Sequence, residues 1–184
     1  MKKLILTAGL LFAGLTSIFA QKYITRTGKI IFDATTPSSP EKISAVNNEV
    51  ANIFDSKTGE IIFQAPIKSF KFASELMQEH FNENYMESDK FLKADLKGTI
   101  TNISEINFSK DGSYTAKVSG KLTIHGVTRE VTETGTAIVK GNTVMLKARF
   151  IARLADYNIS IPSLVADKVA KEATITLEST LTQK

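Results

Sequence analysis

The feature that most constrains the fold of this chain is a long run of strict alternation near its middle. From Tyr114 to Ile124 every second residue is apolar or small, and the residues between are Ser, Thr or Lys. Successive side chains of an extended strand point to opposite faces, so this period of two predicts a strand with one buried face and one face in water.

Other segments repeat this strand pattern and are separated by turn sequences. Gly28 predicts a bulge in the first strand, and the change of parity near Pro66 predicts another. The predicted turns are Asp55 to Gly59, Asp111-Gly112, His125-Gly126 and Gly141-Asn142. About eight strands follow from this division. Strand structure is also predicted over 103–110, before the turn at Asp111-Gly112.

Long alternating strands joined by consecutive hairpins favour an up-and-down barrel over a sandwich. The fold class predicted is therefore all-β, an antiparallel eight-stranded barrel whose last strand, within 172–183, pairs with its first, within 22–34. Such a barrel is either filled by side chains or holds one small apolar ligand. Small residues at predicted inward positions favour an internal space: Ala65, Gly98, Ala116, Gly120, Ala148 and Ala173.

One segment departs from the strand pattern and has helical spacing. Within Leu76 to Gly98, the residues Leu76, Met77, His80 and Phe81, followed by Asn84 or Tyr85, fall on one predicted face. Ser74 is the expected N-cap. An amphipathic helix is predicted here, and it lies either on a packed core or on a cavity that holds a ligand.

The N-terminus predicts export. Residues 1–20 have a basic start, an apolar run and a small residue, Ala20, before Gln21, as in a cleaved signal peptide. We expect a mature domain of residues 21–184 in the periplasm or outside the cell. The chain has no cysteine, so disulfides and thiolate chemistry are excluded and the core alone must hold the domain.

Composition and motifs argue against several functions. The net charge of +4 falls to +2 without Lys2 and Lys3, and the remaining cations are scattered, so nucleic acid is not an expected partner. His80 and His125 are the only histidines, and no third ligand is spaced to join either, so no metal site is predicted. No nucleophile motif or carboxylate pair stands out, so no catalytic residue is predicted. His80 is expected either in the core or at a cavity mouth, and His125 in a tight turn.

Two blocks of this sequence resemble the YceI-like family of exported bacterial lipid-binding proteins. The first, LMQEHFNENYMESDKFLKADLKG, contains the matching residues Met77, Glu79, His80, Phe81, Tyr85, Met86, Glu87, Ser88, Lys90, Phe91, Ala94 and Gly98. The second, VSGKLTIHGVTREV, contains Gly120, Leu122, Thr123, His125, Gly126, Val127 and Thr128. Leu92 and Leu96 depart from the family pattern, which usually has proline and an aromatic residue there, so we expect a cavity of different shape.

The resemblance implies a lipocalin-like barrel around an apolar tunnel that binds a polyisoprenoid or a related lipid, with the helix covering or lining the cavity. Transient membrane contact is expected of such a carrier, no cofactor is expected, and any oligomer is expected to be a dimer. Two alternatives to this carrier stay open. The first is a packed barrel that acts through the loops TTPSSPEK and YNISIPSLVADK, and the second is a hydrolase. The predicted ligand-binding set is Phe63, Ile67, Phe70, Phe72, Met77, His80, Phe81, Tyr85, Phe91, Leu122, Ile124 and Phe150.

Overall fold

The computed structural model describes residues 22–184, so the predicted signal peptide lies outside the described residues. Strands dominate this part of the chain, and one short α-helix, α1 (Glu75–His80), interrupts them. The strands are β1 (Lys22–Thr35), β2 (Ser44–Asp55), β3 (Glu60–Pro66), β4 (Lys71–Phe72), β5 (Lys93–Ile100), β6 (Gly112–Ile124), β7 (Val127–Lys140), β8 (Thr143–Arg153) and β9 (Val169–Gln183).

Eight of the strands close into a barrel. The ladder runs β1-β9-β8-β7-β6-β5-β3-β2, every pairing is antiparallel, and β1 also pairs with β2. The two-residue β4 is added to the free part of β2. The predicted eight-stranded antiparallel barrel is confirmed, including the pairing of the last strand with the first.

Three predicted turns join strands as expected. His125 and Gly126 form the two-residue connection between β6 and β7, both with positive φ (49° and 74°). Gly141 and Asn142 form the two-residue connection between β7 and β8, and Gly141 has a positive φ of 53°. Two-residue hairpins favour such left-handed conformations because their twist matches that of the strands. Asp55 closes the β2–β3 turn by accepting hydrogen bonds from two backbone N–H groups of that turn.

The predicted hairpin at Asp111-Gly112 and the predicted strand over 103–110 are wrong. The segment between β5 and β6 contains a 3-10 turn, Ile103–Glu105. Asn102 is buried, and its side-chain oxygen accepts a hydrogen bond from Lys117 N–H. This side-chain bond competes with strand pairing and ends the ladder. Asp111 instead accepts a hydrogen bond from Gly141 N–H and so connects this segment to the β7–β8 turn.

The predicted helix forms, but only its first part is α-helical, and one residue of its predicted face is exposed. Ser74 caps α1 as expected by accepting from Met77 N–H, but a π-helical turn, Phe81–Tyr85, follows directly. Leu76 is 60% exposed, whereas Met77, Phe81 and Tyr85 face the barrel. The face predicted from helical spacing is therefore correct at Met77, Phe81 and Tyr85 and wrong at Leu76, which precedes the π-turn.

The barrel axis has two distinct ends. The lower end carries the β2–β3 and β7–β8 turns and is closed by Tyr23, Phe54 and Phe108, whose ring centroids lie 5.5–6.1 Å apart. The upper end carries α1 and the His125-Gly126 turn. The space between the two ends is therefore the part of the molecule available to a ligand.

Gly28 forms the predicted bulge in β1, since the register with β2 shifts on both sides of it.

Candidate functional site

The middle of the barrel encloses an apolar space, which we call the inner chamber. Its volume is about 120 Å³. Its wall includes Ile30, Phe63, Leu96, Ala116, Val118, Leu122, Val131, Glu133, Gly135, Ala148, Phe150, Ile175 and Leu177. The wall is almost wholly hydrocarbon and its members come from seven strands, so the chamber is a property of the closed barrel.

A row of small residues across three strands explains why this space is not filled. Ala116 pairs with Gly135, and Gly135 pairs with Ala148, and all three line the chamber. Neighbouring inward positions with larger side chains would meet across the barrel and fill it. Of the small residues that the sequence suggested, Ala65, Ala116 and Ala148 line the chamber.

The paired glycines Gly98 and Gly120 have a different role from the one predicted. A Cβ atom on Gly120 would lie 2.5 Å from Gly98 Cα and from Lys97 O. These glycines therefore allow β5 and β6 to approach each other closely, and neither lines the inner chamber. Ala173, which is 1% exposed, also lies outside the chamber wall.

A second apolar space, the helix-side chamber, lies at the upper end and has a volume of about 220 Å³. Its wall includes Phe32, Ile43, Phe72, Met77, His80, Phe81, Tyr85, Met86, Leu154, Ile159, Val165 and Val169. The rim belongs to the loops 36–43 and 158–168, which bind each other: Thr36 Oγ1 donates to Asp167 O and Ser39 Oγ donates to Lys168 O. The helix and the two loops thus form the upper mouth of the barrel.

The two chambers lie next to each other along the inward face of β1. Ile30 and Phe32 lie on the same face of β1, and Ile30 lines the inner chamber while Phe32 lines the helix-side chamber. The Phe32 ring contacts Phe81 at a centroid distance of 5.6 Å, and Phe81 contacts Phe72 at 5.0 Å. A cluster of aromatic rings thus bounds the helix-side chamber beside Ile30 of the inner chamber.

The structure brings eight of the twelve predicted ligand-binding residues to a chamber wall. The inner chamber takes Phe63, Leu122 and Phe150. The helix-side chamber takes Phe72, Met77, His80, Phe81 and Tyr85. His80 is exposed at the chamber wall, so the core position considered for it is wrong and the mouth position is correct. Leu96, one of the two departures from the family pattern, lines the inner chamber, whereas Leu92 is exposed.

The other four predicted residues lie outside both chamber walls. Ile67 is buried in a 3-10 turn after β3. Phe70 packs against Phe81 with centroids 5.7 Å apart, and Ile124 packs against the core at the end of β6. Phe91 stacks edge-on against His125 at 4.5 Å. Each is apolar and at least half-buried, and sequence alone does not distinguish core packing from a cavity wall.

His125 is the centre of a set of contacts that we call the histidine clasp, formed by Glu87, Phe91, His125, Gly126 and Tyr157. His125 Nε2 lies 2.8 Å from Glu87 Oε2, and Nδ1 lies 3.1 Å from Tyr157 O. Both partners are acceptors, so the ring makes both hydrogen bonds only when both its nitrogens carry a proton. Gly126 is required because a Cβ there would lie 2.4 Å from Phe91 Cε1. The clasp joins three connections at the upper end: the segment before β5, the β6–β7 turn and the segment after β8.

Glu133 is a chamber residue that the sequence analysis missed. It lies on the inward face of β7, opposite Val118, and lines the inner chamber. Burial raises the pKa of its carboxyl group. The surrounding segment, VTREVTETG, has no clear alternation of apolar and polar residues, so no sequence signal indicated which of its side chains face inward.

Groups of at least three His, Asp or Glu side chains arranged to hold a metal ion are absent from residues 22–184. Within the same residues, no helix is long and apolar enough to cross a membrane. The walls of the two chambers are mainly apolar, and their ionisable residues include Glu133 in the inner chamber and Glu41, His80 and Lys168 in the helix-side chamber.

The geometry places the protein among small antiparallel barrels with an internal apolar cavity. A family model described as the YceI-like domain matches residues 23–181, and the chain belongs to this family. No match was found among curated proteins.

Solved structures resemble this one over most of its length. A polyisoprenoid binding domain from Saccharophagus degradans, implicated in plant cell wall breakdown, has a TM-score of 0.77 at 11% identity and covers 90% of this chain and 99% of its own. BcnA of Burkholderia cenocepacia has a TM-score of 0.68 at 17% identity, covering 84% and 95%. A YceI protein of Campylobacter jejuni has a TM-score of 0.50 at 13% identity, covering 98% of each chain. At these identities the likeness concerns the fold.

Proposed function

We propose that this protein is an exported carrier that sequesters an apolar lipid, a polyisoprenoid or an isoprenoid quinone, in the interior of its barrel. The observation that carries the proposal is the pair of apolar chambers arranged end to end inside a closed barrel. Membership of the YceI-like family supports it, as does the fold shared with a polyisoprenoid binding domain. Binding requires no covalent chemistry.

The shape of the interior supports a long and narrow ligand. Together the two chambers reach the lower end of the range of roughly 300–1,000 Å³ typical of ligand pockets. Each CH₂ group moved from water into such a space contributes about 0.8 kcal/mol. A chain that passes Phe32 and Phe81 would fill both chambers, whereas a compact ligand would fill one. The same chambers argue against the alternative of a fully packed barrel.

The upper mouth supports uptake of the lipid from a membrane. Leu164 lies beside the chamber residue Val165 and is 86% exposed, and Leu76 lies beside Met77 and is 60% exposed. Exposed leucines next to a cavity entrance offer an apolar contact for a bilayer surface. Transient membrane contact through this rim fits a carrier that exchanges lipid without spanning the membrane.

Export is supported by the sequence of residues 1–20, which has the three parts of a signal peptide. The expected mature N-terminus is Gln21, in a periplasmic or secreted protein. Intact-mass measurement of protein recovered from the periplasm or the medium tests this directly. A protein that retains Met1 and stays in the cytoplasm would contradict export while leaving lipid binding untouched.

Lipid binding is tested by purifying the protein from its native host and analysing an organic extract by mass spectrometry. A long-chain isoprenoid in a near-stoichiometric amount is expected. Ala148→Phe places a ring in the inner chamber and is expected to reduce the recovered lipid strongly. Ala51→Phe is the matched control, because Ala51 lies on the outer face of β2, between the buried residues Val50 and Asn52.

Two results would contradict the proposal. The first is native protein that repeatedly yields no lipid. The second is lipid retained equally by wild type, Ala148→Phe and Ala51→Phe, with thermal unfolding curves confirming that all three are folded. If Ala148→Phe does not fold, the smaller Ala116→Leu substitution addresses the same wall.

A further inference from the structure

The inner chamber contains a carboxylate in an otherwise apolar wall. Glu133 lies between Val131 and Gly135 on the inward face of β7, and all three residues line the chamber. Asp95 and Lys147 also border this space, but strand alternation directs their side chains to the outer surface, where Lys147 pairs with Glu178 at 3.1 Å. Glu133 is therefore the ionisable residue on the inward face of the chamber wall, and it borders the chamber mainly through its hydrocarbon, because the chamber surface is almost wholly apolar.

The carboxylate of Glu133 has no hydrogen bond or ion pair with any of residues 22–184. Its surroundings on the chamber side are Val118, Val131 and Gly135, which offer no donor side chain. Its oxygens are not among the buried side-chain atoms that lack a partner, so water reaches the carboxylate in the empty protein. A hydrated carboxylate at the edge of an apolar chamber can accept a hydrogen bond from the polar end of a ligand.

Glu133 also lies beside an opening in the barrel wall. The pairing of β7 with β8 extends only from Lys140–Thr143 to Gly135–Ala148, and beyond that point the two strands separate. A polar cleft occupies the gap and is lined by Arg129, Glu130, Val131, Arg153, Tyr157 and Glu172, among others. Val131 borders both the cleft and the inner chamber. Val131 is the inward-facing residue next to Glu133 on β7. The apolar interior and the polar cleft therefore meet beside Glu133.

The charged groups around this junction are close enough to influence one another. Tyr157 is buried, and burial together with Asp156 and Glu133 raises the pKa of its phenol, while Arg129 lowers it. Arg129 donates from Nε to Asp156 O, and Arg153 pairs with Glu172 at 2.8 Å. The cations of the cleft therefore already have partners on its outer side, whereas Glu133 on the inner side has none.

We infer that Glu133 accepts a hydrogen bond from the polar end of the bound lipid, and that this end is a neutral or cationic donor, such as a hydroxyl group, and not a phosphate. The inference rests on the proposed function, that the barrel interior holds an apolar lipid. A polyprenol or a reduced quinone supplies such a donor. A phosphate or diphosphate would bring a second negative charge next to Glu133, and an oxidised quinone ring only accepts.

The test compares three probes that share one chain: farnesene, farnesol and farnesyl phosphate. Their dissociation constants are measured on delipidated mature protein by displacement of a fluorescent apolar dye. Wild type is expected to bind farnesol at least about tenfold more tightly than farnesyl phosphate, since a hydrogen bond to a charged group and the avoided repulsion each have about this size or more.

Variants at Glu133 separate its role from simple packing. Glu133→Gln is expected to reduce the preference for farnesol over farnesyl phosphate by at least about tenfold. Glu133→Leu is expected to remove the advantage of farnesol over farnesene while leaving farnesene binding unchanged. Glu60→Gln is the charge-matched control, because Glu60 is exposed at the lower end of β3, and it is expected to behave as wild type.

The outcomes distinguish this inference from the function on which it rests. If farnesene, farnesol and farnesyl phosphate all fail to bind wild type, the proposed function fails. If farnesene binds but both Glu133 variants keep the wild-type order of farnesol and farnesyl phosphate, only the role of Glu133 is overturned. Tighter binding of farnesyl phosphate than farnesol to wild type would also overturn it and would assign the phosphate to Arg129 in the cleft.

Discussion

Filling the inner chamber is expected to stabilise the empty protein and to prevent lipid binding at the same time. Ala116 is 3% exposed and faces the unsubstituted Cα of Gly135, so Ala116→Leu has room to extend into the chamber. The cavity of about 120 Å³ costs the empty protein up to about 3 kcal/mol at roughly 24 cal/mol per Å³. Three added carbons contribute about 2.4 kcal/mol at most, and imperfect fit removes about 1 kcal/mol or more of that.

The net gain expected for delipidated Ala116→Leu is about 1 kcal/mol in the free energy of unfolding. For a domain of this size the unfolding midpoint rises by about 2–4 °C, which differential scanning calorimetry resolves. Lipid should raise the midpoint of wild type and have little effect on the variant. Ala51→Leu on the outer face is the control and should change neither quantity.

A variant that is destabilised, yet still retains lipid, would refute the reasoning. That result would mean that the space between Ala116, Gly135 and Ala148 is closed by movement of the strands in the empty protein. A variant that is stabilised, yet still retains lipid, would place the ligand in the helix-side chamber alone. The two measurements together therefore locate the ligand as well as test for it.

Three further predictions concern Glu133, the helix and the histidine clasp. Because burial raises the pKa of Glu133 in the folded state, folded protein binds the proton more readily than unfolded protein, so wild-type stability falls as pH rises above the ordinary value of about 4.3. Glu133→Gln should therefore raise the unfolding midpoint near pH 7 and lose this advantage near pH 4; an equal effect at both pH values would contradict it. Phe81→Ala should cost about 3–5 kcal/mol in urea unfolding, while Leu76→Ala on the exposed side of α1 should stay within about 0.5 kcal/mol. A double-mutant cycle of His125→Gln and Glu87→Gln should give a coupling of about 0.5–1 kcal/mol, and strict additivity would exclude the bond as a stabilising contact.

Features set by local pattern were predictable from the sequence. The alternation from Tyr114 to Ile124 gave β6, and the glycine-containing turns at His125-Gly126 and Gly141-Asn142 gave two hairpins in the correct positions. These features depend on interactions between residues close in the chain or directly across a turn. The closure of β9 on β1 followed from counting strands and was confirmed.

Features set by distant contacts were not predictable in the same way. Asp111-Gly112 has a strong turn sequence, but Asn102 and Phe108 bring this segment to the lower end of the barrel, so no hairpin forms there. The inward position of Glu133 depends on its pairing with Val118 across β6, and no pattern within its own strand reveals this. The exposure of Leu76 and the π-turn after His80 were likewise not indicated by the helical spacing.

The residues that identify the family fall into two groups in the structure. Met77, Phe81, Tyr85 and Leu122 are among those that line a chamber. Glu87, Phe91, His125 and Gly126 belong to the two matching blocks, and the structure gathers them in a clasp outside both chambers. Their contacts fix how the connections at the upper end are held. Glu133 lies outside those blocks, where substitution changes the chamber without disturbing the clasp. A family match therefore predicts the barrel and part of its chamber wall, whereas Glu133, to which we assign the contact with the head group, is found only in the three-dimensional structure.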